Sequence, residues 1–185
     1  DKSTVSRLNK SLDERVNAFR NRPLEGTYPY VWLDATFPKV REGQQVQSTA
    51  LVVAMGVRED GHREILGVDV GASETEVVWT EFLRGLISRG LKGVRLVISD
   101  AHQGLKNALQ ALLTEATWQR CQVHFMRDIL THIPKSAQPE ATDALRTIFE
   151  QPSREHAEAQ LRRVAYDLRK TSRRAADLLE DAMHD

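Results

Sequence analysis

The chain has 185 residues, 41% of them hydrophobic and 28% charged, with 26 basic and 26 acidic side chains. That length supports one sizeable core and a smaller appendage, and the zero net charge excludes a molecule that is cationic all over, so any nucleic-acid contact must come from local clustering. The longest apolar run, residues 50–57, is too short to cross a bilayer, no hydrophobic signal segment opens the sequence, and the single Cys121 has no internal disulfide partner, which together point to a reducing cytoplasm and no membrane.

Val5, Leu8, Leu12, Val16 and Phe19 recur at three- and four-residue steps and predict a helix over 4–20, closed by Arg22-Pro23 and Gly26. A helix starting this early, with no initiator Met, is expected of a fragment. Residues 28–37, rich in aromatic and β-branched side chains, predict a strand. "REGQ" (41–44) reads as a turn, 46–57 as a second strand, and 64–70 as a third, joined to the second across Asp60-Gly61. Short connections imply an antiparallel meander. Ser73 with Glu76 forms a capping-box pattern before a helix striped by Val78, Phe82, Leu83, Leu86 and Ile87 and ended by Gly90. "GVRLVISD" (93–100) is a fourth strand, and a strand, crossover helix and strand predict a parallel pair. Leu105, Ala108, Leu109 and Leu112 stripe the next helix; 117–123 is a fifth strand, followed by a helix from about His124.

From Ile133-Pro134 onward the pattern is helical throughout. Leu145, Ile148 and Phe149 mark one helix. Ser153 caps a second, striped by Ala157, Leu161, Val164, Ala165 and Leu168, and a third covers about 173–183. Arg162, Arg163, Arg169, Lys170, Arg173 and Arg174 form either a solvated helix face or a phosphate-contacting strip.

Asp34 is the anomaly of the first strand, "VWLDATFPKV", because strands are depleted in Asp and carboxylates are seldom buried unpaired. Alternation puts it on one face with Tyr30, Trp32 and Thr36. Asp100 closes the fourth strand, at the carboxyl end where open α/β sheets place ligands. If these strands are parallel neighbours, the two acids meet and can hold a divalent cation such as Mg²⁺, which takes hard oxygen ligands. The alternatives are an Asp34 paired to Arg or Lys, and an Asp100 that caps the following helix. His102 reads as an accessory candidate or a polar loop residue. Cys121 and His124 have a metal-like spacing but no second pair to complete a zinc site.

The stretches "YPYVWLDATFPKVRE", "LVVAMGVREDGHREILGVDVGASETEVVWTEFLRGLISRGLKGVRLVISDAHQGLKNAL" and "WQRCQVHFMRD" together resemble Mutator-type transposases of bacterial insertion sequences, from about residue 3 to at least 170. The resemblance implies an α/β ribonuclease H-like core of the DDE class: a mixed sheet of three antiparallel strands and then parallel strands, flanking helices and an all-helical C-terminal insertion. Asp34 in "LDAT" and Asp100 in "SDAH" match the first two acids of the triad as Mg²⁺ (or Mn²⁺) ligands. Cys121 and His124 match a family signature of unknown role. "STVSRLNKSLDERV" resembles the end of a helix-turn-helix region, which makes Ser6, Arg7 and Lys10 candidates for DNA contact.

The implied layout is 1–26 as the end of the DNA-binding region, 27–132 as an incomplete catalytic core and 133–185 as a truncated helical insertion. The implied activity is metal-dependent cleavage and strand transfer of double-stranded DNA by a homo-oligomer. The family's third acid, a glutamate, follows the insertion with a Thr-Asn pair before it. No such stretch occurs here, and Glu180 and Asp181 lie in a helix resembling the insertion itself, so the chain is expected to end before the triad is complete. Two rivals remain: a stand-alone nuclease whose third acid is Asp69 or Glu74, and a non-catalytic DNA-binding or dimerising remnant.

Overall fold

The computed structural model describes residues 2–185, with side chains described from Arg7 onward except those of Leu8 and Glu42. The chain divides into two compact units, residues 1–119 and 120–185.

The first unit opens with helix α1 (Lys2–Asn21). Of its predicted apolar stripe, Leu12 and Val16 are exposed, whereas the side chains of Val5 and Leu8 lie outside the described residues. Five strands then build one sheet: β1 (Tyr30–Thr36), β4 (Ala50–Val57), β5 (Arg63–Gly71), β6 (Leu96–Ser99) and β7 (Thr117–Arg120), in the order β5-β4-β1-β6-β7. β1 pairs antiparallel with β4 and β4 with β5, giving the expected meander, while β1 and β6 are parallel neighbours. The predicted strand over 46–57 is two elements. After β1 the chain leaves the sheet as a separate ribbon, β2 (Lys39–Glu42) and β3 (Gln45–Ser48), and rejoins it at Ala50. Polar residues at 44, 45, 47 and 48 suit an uncovered ribbon, whereas the apolar alternation that a covered sheet needs begins only at Ala50.

Helix α2 (Glu76–Ser88) covers the sheet with Trp79, Phe82, Leu83 and Leu86. Trp79 is fully buried, stands edge-on to Phe82 at 6.1 Å between centroids, and donates its indole N–H to Glu74 at 3.1 Å. Ile87, predicted in the buried stripe, is exposed. The helix is capped by Thr75, whose hydroxyl accepts from Val78 N–H, and not by the predicted Ser73; Glu76 is drawn instead to Asn107. Gly90 ends the helix as expected, at φ +111°, and a Cβ there would sit 2.6 Å from the Leu24 carbonyl oxygen. Helix α3 (Gln103–Leu112) adds Leu105, Ala108 and Leu109 to the same core.

A part-buried polar cluster around the buried Tyr28 ties residues 22–28 to the sheet. Tyr28 donates to Glu64 at 2.8 Å, and the Arg22 guanidinium donates to Glu64 at 2.8 Å and to the Ile65 carbonyl. Arg89 reaches the carbonyls of Arg22 and Leu66, and its burial lowers its pKa. Burial pushes the Tyr28 phenol up to about 12, with the hydrogen bond to Glu64 and that group's charge adding to it. Burial alone would raise the Glu64 pKa, but hydrogen bonds from Tyr28 and Arg22 outweigh it and hold the carboxyl below its ordinary value.

The second unit contains helices α4 (Gln122–Thr131), α5 (Gln138–Phe149), α6 (Arg154–Leu168) and α7 (Arg173–Asp181), with a 3-10 turn at Lys135–Ala137. Their apolar stripes make a second core around Ile129, Leu145, Val164, Ala165 and Leu179. Ser153 caps α6 as predicted, and Ser172 caps α7. α4 begins two residues before the expected His124. Arg120 and the C-terminal Asp185 pair through Nε and Oδ2 at 2.8 Å, and the Arg120 guanidinium lies over the Phe125 ring.

Candidate metal centre

Asp34 stands near the end of β1, opposite Val53 of β4. Val31 and Leu33 point into the core, so alternation turns Trp32 and Asp34 to the half-exposed face. That explains how a strand tolerates the acid. On its other side β1 pairs with β6 in the parallel register Tyr30–Leu96, Val31–Val97 and Trp32–Ile98. Carried two residues further, past Leu33 and Ser99, this register sets Asp34 beside Asp100. Each offers a carboxylate oxygen, and those oxygens lie within 4.8 Å of one another. The sequence therefore brings together two acids 66 positions apart in the chain (100 − 34) through strand pairing alone.

The loop that follows Asp100 is held on both sides. Ser99 is buried; its hydroxyl accepts from the Trp118 indole N–H at 2.9 Å and donates to the Asp100 carbonyl oxygen at 2.9 Å. Lys106 sits over the Trp118 ring, 4.1 Å from its centroid. Sequence reasoning missed both Ser99 and Trp118. The available signal was that an indole N–H in a half-buried strand requires an acceptor. On the other side, α3 is capped by His102, whose Nδ1 accepts from Leu105 N–H at 3.3 Å and lies 3.6 Å from Glu74 Oε1. His102 thus takes the capping role weighed for Asp100. Gly104 lets the first turns of α2 and α3 touch, because a Cβ there would fall 2.7 Å from the Glu76 backbone nitrogen. Asn107 donates to Glu76 at 2.7 Å and accepts from Gln103 at 2.8 Å across the same contact.

Neither proposed third acid joins the pair. Among the described residues, neither Asp69 nor Glu74 lies within 4.8 Å of both carboxylates. Asp69 is engaged by Arg20, and Glu74 by Trp79. Cys121 is half-buried at the N-cap of α4 and makes no capping bond there; it belongs to no group of three potential metal ligands among the described residues. His124 lies in the first turn of α4, half-buried, in the second unit. Arg7 and Lys10 are exposed on α1, and the Ser6 side chain lies outside the described residues. The basic run of the helical unit is largely self-paired. Arg169 bonds Asp177 at 2.8 Å and Glu180 at 2.7 Å, Lys170 bonds Asp167 at 2.8 Å, and Arg162 and Arg173 lie within 4 Å of Glu158 and Asp177. It is mainly a solvated ion-pair face.

No helix among the described residues is long and apolar enough to cross a membrane.

The family model described as "Transposase, Mutator family" matches residues 1–185. The transposase for insertion sequence element ISRM5 of Rhizobium meliloti is 43% identical over 159 residues, covering 86% of this chain and 40% of that one. The transposase for element IS1081 of Mycobacterium tuberculosis is 44% identical over 164 residues (88% and 40%), and that for IS256 in transposon Tn4001 of Staphylococcus aureus is 46% identical over 149 (80% and 38%). The chain spans about two fifths of the length of these relatives. Among solved structures, a simian T-cell lymphotropic virus intasome aligns with 88% of this chain and 51% of its own at 14% identity, with a TM-score of 0.34 that is too low to carry an argument. Matched along its whole length by the family model, the chain belongs to the Mutator family of transposases.

Proposed function

We propose that these residues carry two of the metal ligands of a DDE transposase, acting on double-stranded DNA with Mg²⁺ or Mn²⁺. The observation that carries this reading is the parallel β1–β6 register, which sets Asp34 and Asp100 side by side with oxygens within 4.8 Å. The β5-β4-β1-β6 arrangement, a meander followed by a strand parallel to its first member, supports a ribonuclease H-like core, and the all-helical second unit supports the insertion. In this reading residues 1–26 lead in from a DNA-binding region, 27–132 form the core and 133–185 the insertion.

Two adjacent carboxylates fit a small hard cation, which prefers oxygen donors and completes its shell with water and substrate phosphate. A divalent cation bound there supplies Lewis acidity to a scissile phosphodiester. Asp34 is fixed by two flanking strands, and Asp100 by the Ser99 and Trp118 hydrogen bonds on one side and the α3 cap on the other. Among the described residues no third carboxylate lies within 4.8 Å of both acids, so residues 1–185 by themselves are expected to show little strand-transfer activity.

Calorimetric titration of Mn²⁺ into the chain tests the reading. Wild type binds, whereas Asp34→Asn and Asp100→Asn each weaken binding by at least about tenfold with unchanged circular dichroism. Equal affinity in wild type and both variants would refute the site.

A further inference from the structure

The β2–β3 ribbon belongs to neither hydrophobic core. An isolated two-stranded ribbon is marginal in water, yet this one leaves Phe37, Val40 and Val46 exposed at 52%, 39% and 56%. Its two legs are tied to each other at the base: Thr49 N–H donates to the Pro38 carbonyl at 3.1 Å, and the Ser48 hydroxyl reaches the Phe37 carbonyl at 3.4 Å. From Asp34, β1 continues to Thr36, and after Phe37-Pro38 the chain enters β2 at Lys39. The ribbon therefore emerges from the carboxyl end of β1, the end at which β6 delivers Asp100. Lys39 is five residues from Asp34, at most about 17 Å of extended chain.

The register decides what each face of the ribbon presents. Lys39 pairs with Ser48 and Arg41 with Val46, and between them Val40 pairs with Gln47. Cross-strand partners share a face and successive residues alternate, so Lys39, Arg41, Ser48 and Val46 lie on one side and Val40, Gln47 and Gln45 on the other. The first side has two exposed cations, a hydroxyl and no acid. Among the described residues no ion pair engages Lys39 or Arg41, in contrast to Arg162, Arg169, Lys170 and Arg173 of the helical unit. We infer that the Lys39/Arg41 face of this ribbon binds the phosphate backbone of duplex DNA and holds it beside Asp34 and Asp100. The inference rests on the reading of those carboxylates as a DNA-processing site, and it names a contact that positions the substrate.

The test is equilibrium binding of the 185-residue chain to short fluorescent duplexes of unrelated sequence over a series of salt concentrations. Each phosphate contact contributes about −0.9 to the slope of log K against log salt. The double variant Lys39→Ala/Arg41→Ala is expected to lose about 1.8 of that slope, to bind several-fold more weakly and to do so equally for every duplex, because phosphate contacts carry no sequence information. The double variant Arg162→Ala/Arg173→Ala, on the self-paired face, is expected to keep the slope. An unchanged slope in the ribbon variant, a loss that depends on the duplex sequence, or absence of DNA binding by wild type would each overturn the inference. Both ribbon side chains are exposed, so the variant is expected to match wild type in circular dichroism; Lys39→Gln/Arg41→Gln, which keeps the side-chain bulk, is expected to show the same slope change. Mn²⁺ affinity in the ribbon variant is expected to equal that of wild type. A chain that binds DNA through the ribbon but binds no Mn²⁺ would leave this inference standing and remove the metal site; the reverse result would do the opposite.

Discussion

In the helical unit the charged residues are numerous, close in sequence and neutralised by one another: Arg169 takes both Asp177 and Glu180, and Lys170 takes Asp167, all on exposed helix surfaces. In the sheet unit the fold gives charges different settings. Glu64 and Arg89 are drawn into a part-buried network with Tyr28, Asp34 and Asp100 converge at the ends of parallel strands, and Lys39 and Arg41 stand out on a ribbon. A cluster of like charges along a helix is therefore a poor guide to available charge, because helical spacing also supplies partners three and four residues away. Charges that act on something outside the protein are better sought where strand pairing sets them side by side.

The contrast is most easily broken through the cores. All three tryptophans, Trp32, Trp79 and Trp118, lie in the sheet unit, so indole fluorescence reports that unit alone. Trp79→Ala removes a fully buried ring and the donor to Glu74. A loss of about 3–5 kcal/mol is expected from a large-to-small change at such a site, read as a fall in the urea midpoint followed through the two remaining tryptophans. A midpoint within error of wild type would mean that α2 is not what holds the sheet's covered face.

Most of the frame was legible in the sequence, and the exceptions share a cause. The five strands of the sheet and the helices between them follow from apolar periodicity, whereas β5 and β6, the strands on either side of the crossover helix, are not the neighbouring parallel pair that the crossover predicts: β6 pairs with β1 instead. The ribbon was missed because residues 46–57 alternate well enough to read as one strand; nothing local to Thr49 shows that the chain changes sheets there. The Thr75 cap was missed because Ser73-x-x-Glu76 satisfies a local rule, whereas the observed arrangement depends on Asn107 from another helix claiming Glu76. At the candidate metal centre, the two acids could be picked out one by one. The Ser99–Trp118 support behind Asp100 could not, since it links residues 19 apart across two strands.

A smaller effect sharpens the comparison through the part-buried network around Tyr28. Tyr28→Phe deletes the phenol donor while Arg22 continues to hold Glu64, so a loss of about 1–2 kcal/mol is expected at neutral pH. The pH dependence has a definite sign. The folded phenol titrates at about 12 against an ordinary value of 10.0, so the native state favours the protonated form. That contribution is complete below about pH 10 and declines as the pH rises through 12. Chemical denaturation across this range is expected to show the decline in wild type and to lack its Tyr28 component in the Phe variant. Identical alkaline profiles would show that the phenol is not held neutral by the fold.

The smallest expected effect belongs to the helical unit. Arg169→Ala deletes two ion pairs at once, and the hydrogen bond to Glu180, with the charges of Glu180 and Asp177, raises the guanidinium pKa against the opposing effect of desolvation. Those carboxylates and the guanidinium remain largely in water, where exposed pairs contribute little and ordering long side chains offsets part of the attraction. The variant is therefore expected to lower the thermal midpoint only slightly at low ionic strength. The difference should vanish at about 1 M salt, where the screening length is about 3 Å. A large loss that persists at high salt would identify Arg169 as a packing element of the α6–α7 contact, and the contrast between a self-neutralised helical surface and an engaged sheet unit would then fail at its most heavily paired residue.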